Sequence, residues 1–257
     1  MFAKLKRNIE LKWLKLSGVH KKFYPEYFAD GFGTRHKNTG FLDDPAFDKA
    51  WREICAVNAQ YWGGTVPDVR WRMHVCLWAA RNGMHLEGDF VECGVNTGLF
   101  SAMICKLLPI GTATDRRFWL FDTYSGIPEE SLPEAERAQA RIRNQQLYGY
   151  DAYQVASKVF AEYPSARLVK GILPGSLAEA DISRIAYLSV DLNVMAAEIA
   201  SGEALWDKLS PGAMIVLDDY AFRGHEDQYN AWNAFTAKRG ISVLTLPTGQ
   251  GLIQKPV

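Results

Sequence analysis

From residue 44 onward, two hydrophobic patterns alternate along the chain. Short apolar runs predict strands, and the segments between them, with an apolar residue at every third or fourth position, predict helices. The predicted strands cover residues 89–92, 118–121, 167–170, 185–190 and 214–217, and the last two, 241–246 and 252–255, flank a glycine turn and predict an antiparallel hairpin. Repeated strand–helix units predict a mostly parallel sheet with helices on both faces, which is an α/β fold.

The predicted helices lie between these strands and before the first of them. Those between the strands cover residues 99–108, 134–148, 153–162, 177–182 and 196–209, with a later one at 226–239. Asp44, followed by a proline, predicts the N-cap of an earlier helix that ends near Gln60. Pro67 predicts the start of the next helix, which ends near Gly83.

Two unusual segments precede this regular pattern. Residues 1–22 carry seven basic side chains and one acidic side chain, with apolar residues at helical spacing. Such a basic amphipathic helix packs on its own domain, on another subunit or on an acidic membrane surface, and we favour packing on protein. Residues 23–43 are rich in glycine and aromatic residues and predict an ordered loop over a cleft, neither linker nor regular element. We therefore expect an N-terminal helical arm and cap over residues 1–64 and a main domain over residues 65–257.

Composition limits the class of protein. The chain has 257 residues, of which 48% are hydrophobic and 23% are charged, as in soluble globular proteins. Lys plus Arg and Asp plus Glu both number 29, and this zero net charge disfavours a nucleic-acid partner. No apolar run approaches the roughly 20 residues that span a bilayer, so we expect no stable membrane insertion, and the start lacks a secretory signal. The four cysteines have no paired spacing and predict free thiols in the cytoplasm.

Acidic residues follow four of the predicted strands. Glu92, Asp122 and Asp191 end the first, second and fourth strands, and Asp218 and Asp219 end the fifth. In an open parallel sheet, ligands bind beyond the carboxyl ends of the strands. Five carboxylates at one edge repel one another unless a positive charge or hydrogen-bond donors lie among them. We therefore predict a ligand or metal site at this edge.

The turn after the first strand, ECGVNTG, carries Gly94 and Gly98 four residues apart. It differs from the G-x-G-x-x-G turn of a dinucleotide site, because Asn96 occupies the place of the middle glycine that lets backbone approach a pyrophosphate. The sequence also lacks a phosphate-binding P-loop. The turn therefore suits a nucleoside cofactor without phosphates. Asp122, 24 residues beyond Gly98, is placed to accept hydrogen bonds from both ribose hydroxyls of such a cofactor.

Three phrases resemble known sequences. GDFVECGVNTGLFS at 88–101 resembles the first motif of class I S-adenosylmethionine-dependent methyltransferases. LFDTYSGIP at 120–128 and KLSPGAMIVLDDY at 208–220, with the position of Asp191, resemble the macrocin O-methyltransferase family. The resemblance covers about residues 65–257 and implies a doubly wound, Rossmann-like sheet of seven strands in the order 3-2-1-4-5-7-6.

The same resemblance implies methyl transfer from S-adenosylmethionine to a hydroxyl, often on a sugar, with a Mg²⁺ ion. The metal ligands of the family match Asp191, Asp218 and Asp219. Cofactor contacts are expected at Glu92, Gly94, Val95, Asn96, Gly98, Ser101, Asp122 and Gly171. Oligomers are also implied, and we expect residues 1–43 to pack at the interface of a homo-oligomer or over an active site. The chain departs from the family after the fourth strand, where sugar-modifying members tend to have D-G-D-L-Y and this chain has DLNVM with Asn193 in third place.

The chemistry of these residues agrees with that implication. Three carboxylates are hard oxygen ligands that suit Mg²⁺, and an ion at this place orients and activates the acceptor hydroxyl. In-line transfer from a positively charged sulfur needs alignment and a deprotonated oxygen, and Asp191 is a candidate for this catalytic role. Among the five histidines, His225 follows the Asp218–Asp219 loop on the same edge and is the candidate general base. A solvent-facing position at the start of a helix is the alternative for His225.

We therefore predict a Mg²⁺-dependent O-methyltransferase that acts on a small hydroxylated metabolite, glycosylated or not. Tyr148, Tyr150 and Tyr153 line its acceptor pocket or pack a helix on the sheet. One alternative is transfer to nitrogen or carbon without metal, with the Asp cluster binding the substrate directly. A second is an NAD-linked oxidoreductase, which the missing G-x-G-x-x-G disfavours. A third is a non-catalytic S-adenosylmethionine-binding protein, which the intact Asp triplet disfavours.

Overall fold

The predicted strands form one sheet whose carboxyl edge carries the acidic residues. The computed structural model of the chain describes residues 25–132, 134–148 and 150–257. Its strands are β1 (Tyr27–Ala29), β2 (Phe32–Thr34), β3 (Asp89–Cys93), β4 (Phe118–Asp122), β5 (Ala166–Lys170), β6 (Ile185–Val190), β7 (Leu209–Leu217), β8 (Leu244–Thr245) and β9 (Gly251–Gln254). Its helices are α1 (Pro45–Asn58), α2 (Arg70–Gly83), α3 (Leu99–Leu107), α4 (Glu134–Leu147), α5 (Ala152–Phe160), α6 (Met195–Trp206) and α7 (Glu226–Ala237).

The topology of the main sheet is the one that the family resemblance implies. Within the described residues, seven strands pair in the order β5-β4-β3-β6-β7-β9-β8. Strands β3 to β7 run parallel to one another, and β9 runs antiparallel to both of its neighbours. Numbered from β3, this is the order 3-2-1-4-5-7-6. The predicted α/β fold with a terminal antiparallel hairpin is therefore confirmed.

The sheet separates two hydrophobic layers. All six residues of the central strand β6 are buried, as its continuous apolar run predicts for a strand covered on both faces. On one face, Ile54 of α1, Met73 of α2 and Ile104 of α3 belong to one buried cluster. On the other face, Leu205 of α6 and Trp232 of α7 belong to a second cluster.

The packing of α1 bears on the predicted domain boundary. Asp44 caps this helix as predicted, because its carboxylate accepts from the N–H groups of Ala46 at 2.8 Å and Phe47 at 3.0 Å. Phe47 and Ile54 are buried in the same cluster as α2 and α3. Helix α1 thus packs with the main domain, and the predicted boundary after residue 64 stays a prediction.

Two predicted helices differ from the observed ones. The helix predicted at 177–182 is wrong: the chain forms a short 3₁₀ segment, Gly175–Glu179, between Pro174 and a return to extended backbone. The segment ends after little more than one turn because Ala180 is already extended. The helix predicted from Pro67 begins at Arg70.

Strand β7 is longer than its apolar run indicates. It begins at Leu209, whereas the pattern predicts Met214. Pro211 and Gly212 interrupt the apolar pattern, and the pairing of β7 with β6 shifts register across this part. A bulge of this kind lets a strand continue past residues that do not fit the regular ladder.

The stretch before α1, predicted as an irregular loop, contains a two-stranded hairpin. Strands β1 and β2 pair antiparallel with Ala29 opposite Phe32. Asp30 and Gly31 form the turn with φ values of 51° and 74°. Two central residues with positive φ make a type I′ turn, which the sequence Asp-Gly favours. The Asp-Gly pair is the signal that could have predicted this hairpin.

The hairpin packs on the sheet domain through aromatic rings. Tyr27 and Phe32 contact Trp71 of α2 with ring centroids 5.4 and 5.0 Å apart. The basic helix predicted for residues 1–22 lies outside the described residues. Among the helices that are described, none is both long enough and apolar enough to cross a membrane.

Candidate active site

The carboxyl ends of β3, β4, β5 and β6 open into one cavity of about 420 Å³. Many of the predicted site residues line it, namely Gly94, Val95, Asn96, Asp122, Gly171 and Asp191. Trp62, Arg72, Phe100, Tyr148 and Tyr150 contribute further to the wall. Pockets of about 300–1,000 Å³ hold small molecules and cofactors, so this cavity is large enough for a nucleoside cofactor.

The turn after β3 lies directly against the end of β6. Gly94 has a φ of 91°, a conformation that side chains rarely adopt. A Cβ at this position would lie 1.8 Å from the carbonyl oxygen of Asp191, so only glycine fits. The N–H of Asp191 also donates to the carbonyl of Cys93 at 2.7 Å. The glycine turn and the first predicted metal ligand are therefore in backbone contact.

Asp122 holds the same turn by hydrogen bonds. Its Oδ2 accepts from the N–H groups of Val95 at 2.7 Å and Asn96 at 2.8 Å. Its Oδ1 accepts from the N–H of Tyr124 at 2.5 Å and lies 3.4 Å from the hydroxyl of Thr123, whose single proton has a shorter bond to the carbonyl of Gly126. Each carboxylate oxygen has two lone pairs, so the capacity that is left lies at Oδ1. The predicted contact with the ribose stays a prediction, and most of the carboxylate serves the backbone of the turn.

Three predicted cofactor contacts lie beneath the turn and not at the cavity wall. Glu92 and Ser101 are buried. Burial raises the pKa of Glu92 to about 8, and the hydroxyl of Ser101 acts in the opposite direction. Gly98 begins α3 with a φ of 88°, and a Cβ there would lie 2.4 Å from the ring of Phe160. These residues support the turn from below, and their direct contact with a cofactor stays a prediction.

Asp191, Asp218 and Asp219 come together at the ends of β6 and β7. One carboxylate oxygen from each lies within 4.8 Å of the others. Burial, followed by the charges of Asp218 and Asp219, raises the pKa of Asp191 well above its usual range. Burial and the charge of Asp218 raise the pKa of Asp219 to about 7. Buried like charges at this spacing favour a bound cation.

The donor set of this carboxylate cluster fits a divalent metal ion. All three ligands are hard carboxylate oxygens, which Mg²⁺ prefers. Oδ2 of Asp219 is buried and has no hydrogen-bond partner among the described residues. A buried oxygen without a partner is costly unless something positive occupies its lone pairs.

A positive charge lies among these carboxylates, and the sequence pattern did not single it out. Arg72, in the first turn of α2, forms an ion pair with Asp218 through Nη1 and donates from Nε to Oδ2 of Asp30 at 2.7 Å. Its guanidinium lies over the rings of Phe100 and Phe222, at 5.6 and 5.5 Å. The sequence predicts that the carboxylates at this edge need a counter-charge or hydrogen-bond donors. The first turn of α2 was the place to look for this counter-charge. This helix leads back across the sheet into the start of β3, so it begins at the edge where the parallel strands end.

His225 lies beside the carboxylate cluster but does not line the large cavity. Its Nδ1 is 3.7 Å from Oδ2 of Asp219, and its Nε2 is 2.8 Å from Nη2 of Arg143. Nη1 of Arg143 donates to Oδ1 of Asn193 at 2.9 Å, and Nδ2 of Asn193 donates to Oδ1 of Asp191 at 3.2 Å. Burial, followed by the charge of Arg143, lowers the pKa of His225. The role of general base stays a prediction, and this geometry does not favour it.

Aromatic side chains form part of the remaining wall. Tyr148 and Tyr150 line the cavity. The hydroxyl of Tyr150 donates to Oδ1 of Asn96 at 2.8 Å, which ties the aromatic wall to the glycine turn. Tyr153 instead lies under Nζ of Lys170, 5.5 Å from its ring centroid. Of the three tyrosines for which pocket and packing roles were both open, two line the cavity, and Tyr153 does not.

Comparison with known proteins identifies the family of this sequence. Residues 72–245, more than half of the chain, match the family model described as macrocin-O-methyltransferase (TylF). This match confirms the resemblance that the sequence motifs predict.

Two curated relatives, both O-methyltransferases, match part of the chain. One is the 8-demethyl-8-(2,3-dimethoxy-alpha-L-rhamnosyl)-tetracenomycin-C 4'-O-methyltransferase of Streptomyces olivaceus, which is 27% identical over 163 residues, or 61% of each protein. The other is the demethyldecarbamoylnovobiocin O-methyltransferase of Streptomyces niveus, 26% identical over 144 residues, which cover 54% of this chain and 55% of the relative. The chain thus spans less than two thirds of the length of these relatives.

A solved structure shares the fold. The O-methyltransferase NovP superposes with a TM-score of 0.68 at 20% sequence identity, over 82% of this chain and 98% of that chain. At this identity the likeness bears on the fold alone, and it agrees with the Rossmann-like sheet described above.

Proposed function

The chain belongs to the macrocin O-methyltransferase family, and on that premise we propose that it transfers a methyl group from S-adenosylmethionine to a hydroxyl of a small glycosylated metabolite, with Mg²⁺ at the carboxylate cluster. One observation carries the proposal. A single cavity is lined both by the turn that contains Gly94 and by Asp191 of the carboxylate cluster. A cofactor at the turn and an acceptor at the cluster would share one space, which in-line transfer requires.

The cofactor end of the cavity has the chemistry of a nucleoside site. S-adenosylmethionine supplies the methyl group on a positively charged sulfur. Oδ1 of Asp122 retains a lone pair for a ribose hydroxyl, as a carboxylate that points into a cavity can. Ile172 and Leu173 line the same cavity and offer apolar surface to an adenine ring.

The acceptor end has the chemistry of a metal-assisted hydroxyl site. Asp191, Asp218 and Asp219 would hold Mg²⁺, whose positive charge lowers the pKa of a bound hydroxyl. The three carboxylates would then fix the position of that hydroxyl relative to the cofactor turn, because the backbones of Gly94 and Asp191 are in contact. Alignment of this kind contributes much of the rate of a displacement that creates no new charge.

A glycosylated acceptor is favoured by two observations. The name of the Streptomyces olivaceus relative states methylation of a rhamnosyl-tetracenomycin C. In this chain, Trp62, Phe100, Tyr148 and Tyr150 line the cavity beside Asp191. Aromatic rings beside polar groups suit a molecule that carries both an apolar part and hydroxyls.

The proposal extends to the compartment, the oligomeric state and the partners of the protein. We propose a cytoplasmic homo-oligomer with residues 1–43 at its interface or over an active site, and no nucleic-acid partner. The balanced charge and the free cysteines support this setting.

A transfer assay with metal control tests the proposal. Tritiated S-adenosylmethionine and p-nitrophenyl α-L-rhamnopyranoside are the probes, with MgCl₂ or with excess EDTA. Transfer should require Mg²⁺, whereas calorimetric binding of S-adenosylhomocysteine should persist in EDTA. Asp219→Asn should abolish transfer, and Asp207→Asn, an exposed residue at the end of α6, should not. Equal transfer with and without EDTA would contradict the metal mechanism.

One observation favours a second candidate, a methyltransferase that needs no metal. Both oxygens of Asp218 have partners within the protein, because Oδ2 pairs with Arg72 and Oδ1 accepts from Nε2 of Gln250 at 3.0 Å. In this function the guanidinium supplies the counter-charge, and the carboxylates bind a hydroxyl or amine of the acceptor directly. Full activity in EDTA, with no calorimetric heat from MgCl₂, would favour this candidate.

A further inference from the structure

Among the described side chains of helix α4, that of Arg143 approaches the carboxylate cluster. Arg143 donates from Nη1 to Oδ1 of Asn193 at 2.9 Å, and its Nη2 lies 2.8 Å from Nε2 of His225. Asn193 belongs to the loop after β6, and His225 is the N-cap residue of α7. A single guanidinium therefore joins three separate elements. We propose that Arg143 is a positioning residue that couples the seating of α4 over the cavity to the alignment of the carboxylate cluster.

The direction of these hydrogen bonds follows from the chemistry of arginine. A guanidinium has only donors, so Nε2 of His225 must accept from Arg143. The imidazole proton then sits on Nδ1, which lies 3.1 Å from the side-chain amide of Gln228 and 3.7 Å from Oδ2 of Asp219. With its oxygen turned toward Nδ1, the amide of Gln228 accepts this proton. This tautomer is assigned from the partners. Arg143 thus sets the tautomer and the orientation of His225, which lies beside the carboxylate cluster without a hydrogen bond to it.

The same logic fixes the side chain of Asn193. Its Oδ1 accepts from Arg143, so its Nδ2 is turned toward Oδ1 of Asp191 at 3.2 Å. Asn193 has a φ of 58°, in the left-handed region that asparagine adopts more readily than most residues. An aspartate in this place could accept from Arg143 but, when ionised, could not donate to Asp191. Asn193 lies in the loop where this chain departs from its family. Its side-chain amide links Arg143 to Asp191, a predicted metal ligand.

Apart from Arg143, the described side chains of α4 attach it to the loop after β4 and to one small apolar cluster. Asn144 accepts from the N–H of Ile127 at 2.7 Å and donates to its carbonyl at 2.9 Å. Ile127, Leu132, Ala140 and Val194 form a small buried cluster at this helix. Segments with little buried surface open more readily than the core. Because Leu132 and Tyr148 flank α4 and line the cavity, its opening would also remove the partner that orients Asn193 and His225.

The test uses Arg143→Lys, which keeps the positive charge and loses the planar fork that reaches two partners. Calorimetry with MgCl₂ alone should give about a tenfold weaker Kd, the effect expected of one lost charge-assisted hydrogen bond. Hydrogen exchange should become faster both in residues 134–147 and in residues 191–195. The control is Arg141→Lys on the same helix, whose side chain is 63% exposed and pairs with Glu129. The control should match the wild-type protein, and all variants should bind S-adenosylhomocysteine normally.

A double-mutant cycle isolates the coupling. Asn193→Ala removes the next link, so Arg143→Lys combined with Asn193→Ala should lose no more Mg²⁺ affinity than either change alone. Additive losses of Mg²⁺ affinity in the double mutant would overturn the proposal. So would an Arg143→Lys protein that binds Mg²⁺ as the wild-type protein does and exchanges faster only in residues 134–147. The proposal rests on the proposed function only in treating the carboxylate cluster as a cation site. If the wild-type protein binds no Mg²⁺, the metal mechanism fails, and exchange in residues 191–195 still decides whether Arg143 positions that loop.

Discussion

Arg72 and Asp218 form an ion pair that joins the first turn of α2 to the end of β7. Their side chains are only 17% and 4% exposed. Arg72 also donates to Asp30 in the turn of the β1–β2 hairpin. Removal of one partner of a buried pair leaves an uncompensated charge, which is strongly destabilising. The pair therefore connects the stability of the fold with the charge of the proposed metal site.

Replacement of Arg72 should make the stability of the folded protein depend more strongly on Mg²⁺. Arg72→Gln leaves three neighbouring carboxylates without their internal cation, and we expect a loss of about 3 kcal/mol in the free energy of unfolding in EDTA. Saturating MgCl₂ should restore more of the melting temperature in this variant than in the wild-type protein. Arg70→Gln, which breaks the neighbouring pair with Asp68, should not change the effect of Mg²⁺. Equal shifts in all three proteins would show that Arg72 does not balance the cluster.

Asp122 should be required for cofactor affinity. Asp122→Ala removes two backbone hydrogen bonds of the turn and the proposed ribose contact, worth about 2–3 kcal/mol together. Calorimetry should show S-adenosylhomocysteine affinity weaker by about 30- to 150-fold. Asp122→Asn keeps one oxygen for the turn and should lose less. The control is Asp89→Asn at the other end of β3. The carboxylate of Asp89 accepts hydrogen bonds from the backbone N–H of Arg117 and the indole N–H of Trp119. Unchanged affinity in folded Asp122→Ala would exclude Asp122 from the cofactor site.

Much of this fold could be predicted because it depends on local patterns. The apolar runs of β3 to β7 and the glycine turn between β8 and β9 are short-range features. The acidic residues at the strand ends then follow from the rule that parallel strands share one carboxyl edge. Asp191, Asp218 and Asp219 meet for this reason, although they come from separate strands.

The residues that sequence reasoning missed act over long separations. Arg72 and Asp218 are 146 residues apart, and no spacing rule connects them. Arg143 looks like one more charged residue of a polar helix until the helix is placed against His225. The sequence predicts a ligand contact for Asp122, because it does not reveal that the N–H groups of the turn need an acceptor.

Glu92 should make stability depend on pH. Burial raises its pKa to about 8 from a usual value of 4.5, so the folded state holds a proton that the unfolded state releases. Between these two values the free energy of unfolding should fall as pH rises, by up to about 1.4 kcal/mol per pH unit from this group. Glu92→Gln carries no such proton and should unfold with a flatter profile in urea titrations in EDTA from pH 5 to 8. Glu87→Gln, whose side chain is 87% exposed, is the control. Parallel profiles for the wild-type protein and Glu92→Gln would show that Glu92 is ionised in the fold.

Gly94→Ala should damage both halves of the site at once. The new Cβ would meet the carbonyl oxygen of Asp191 at 1.8 Å, and φ at this position is unfavourable for alanine. We expect a loss of about 2–4 kcal/mol in stability, with weaker binding of both S-adenosylhomocysteine and Mg²⁺. Gly175→Ala has open space around its Cβ and should be near neutral. Loss of cofactor binding with intact Mg²⁺ affinity would show that the two halves move independently.

Truncations should separate two roles of the N-terminal segment. Removal of residues 1–24 keeps Asp30, whereas removal of residues 1–43 deletes the hairpin that holds Arg72. If the segment lies at an oligomer interface, both truncations should lower the mass in light scattering. The longer truncation alone should also lower methyl transfer, because Arg72 loses one of its two acidic partners. Unchanged mass and activity in the longer truncation would leave the segment without either role.

Exchange of N-terminal segments between relatives is constrained by the hairpin. Asp30 travels with β1 and β2, and Arg72 travels with α2. A chimera joined between residues 34 and 70 would separate the acceptor from its donor and alter the charge beside Asp218. A junction upstream of Tyr27 would move only sequence that precedes the hairpin. The safe crossover point thus lies before the hairpin, even though the family match begins only at residue 72.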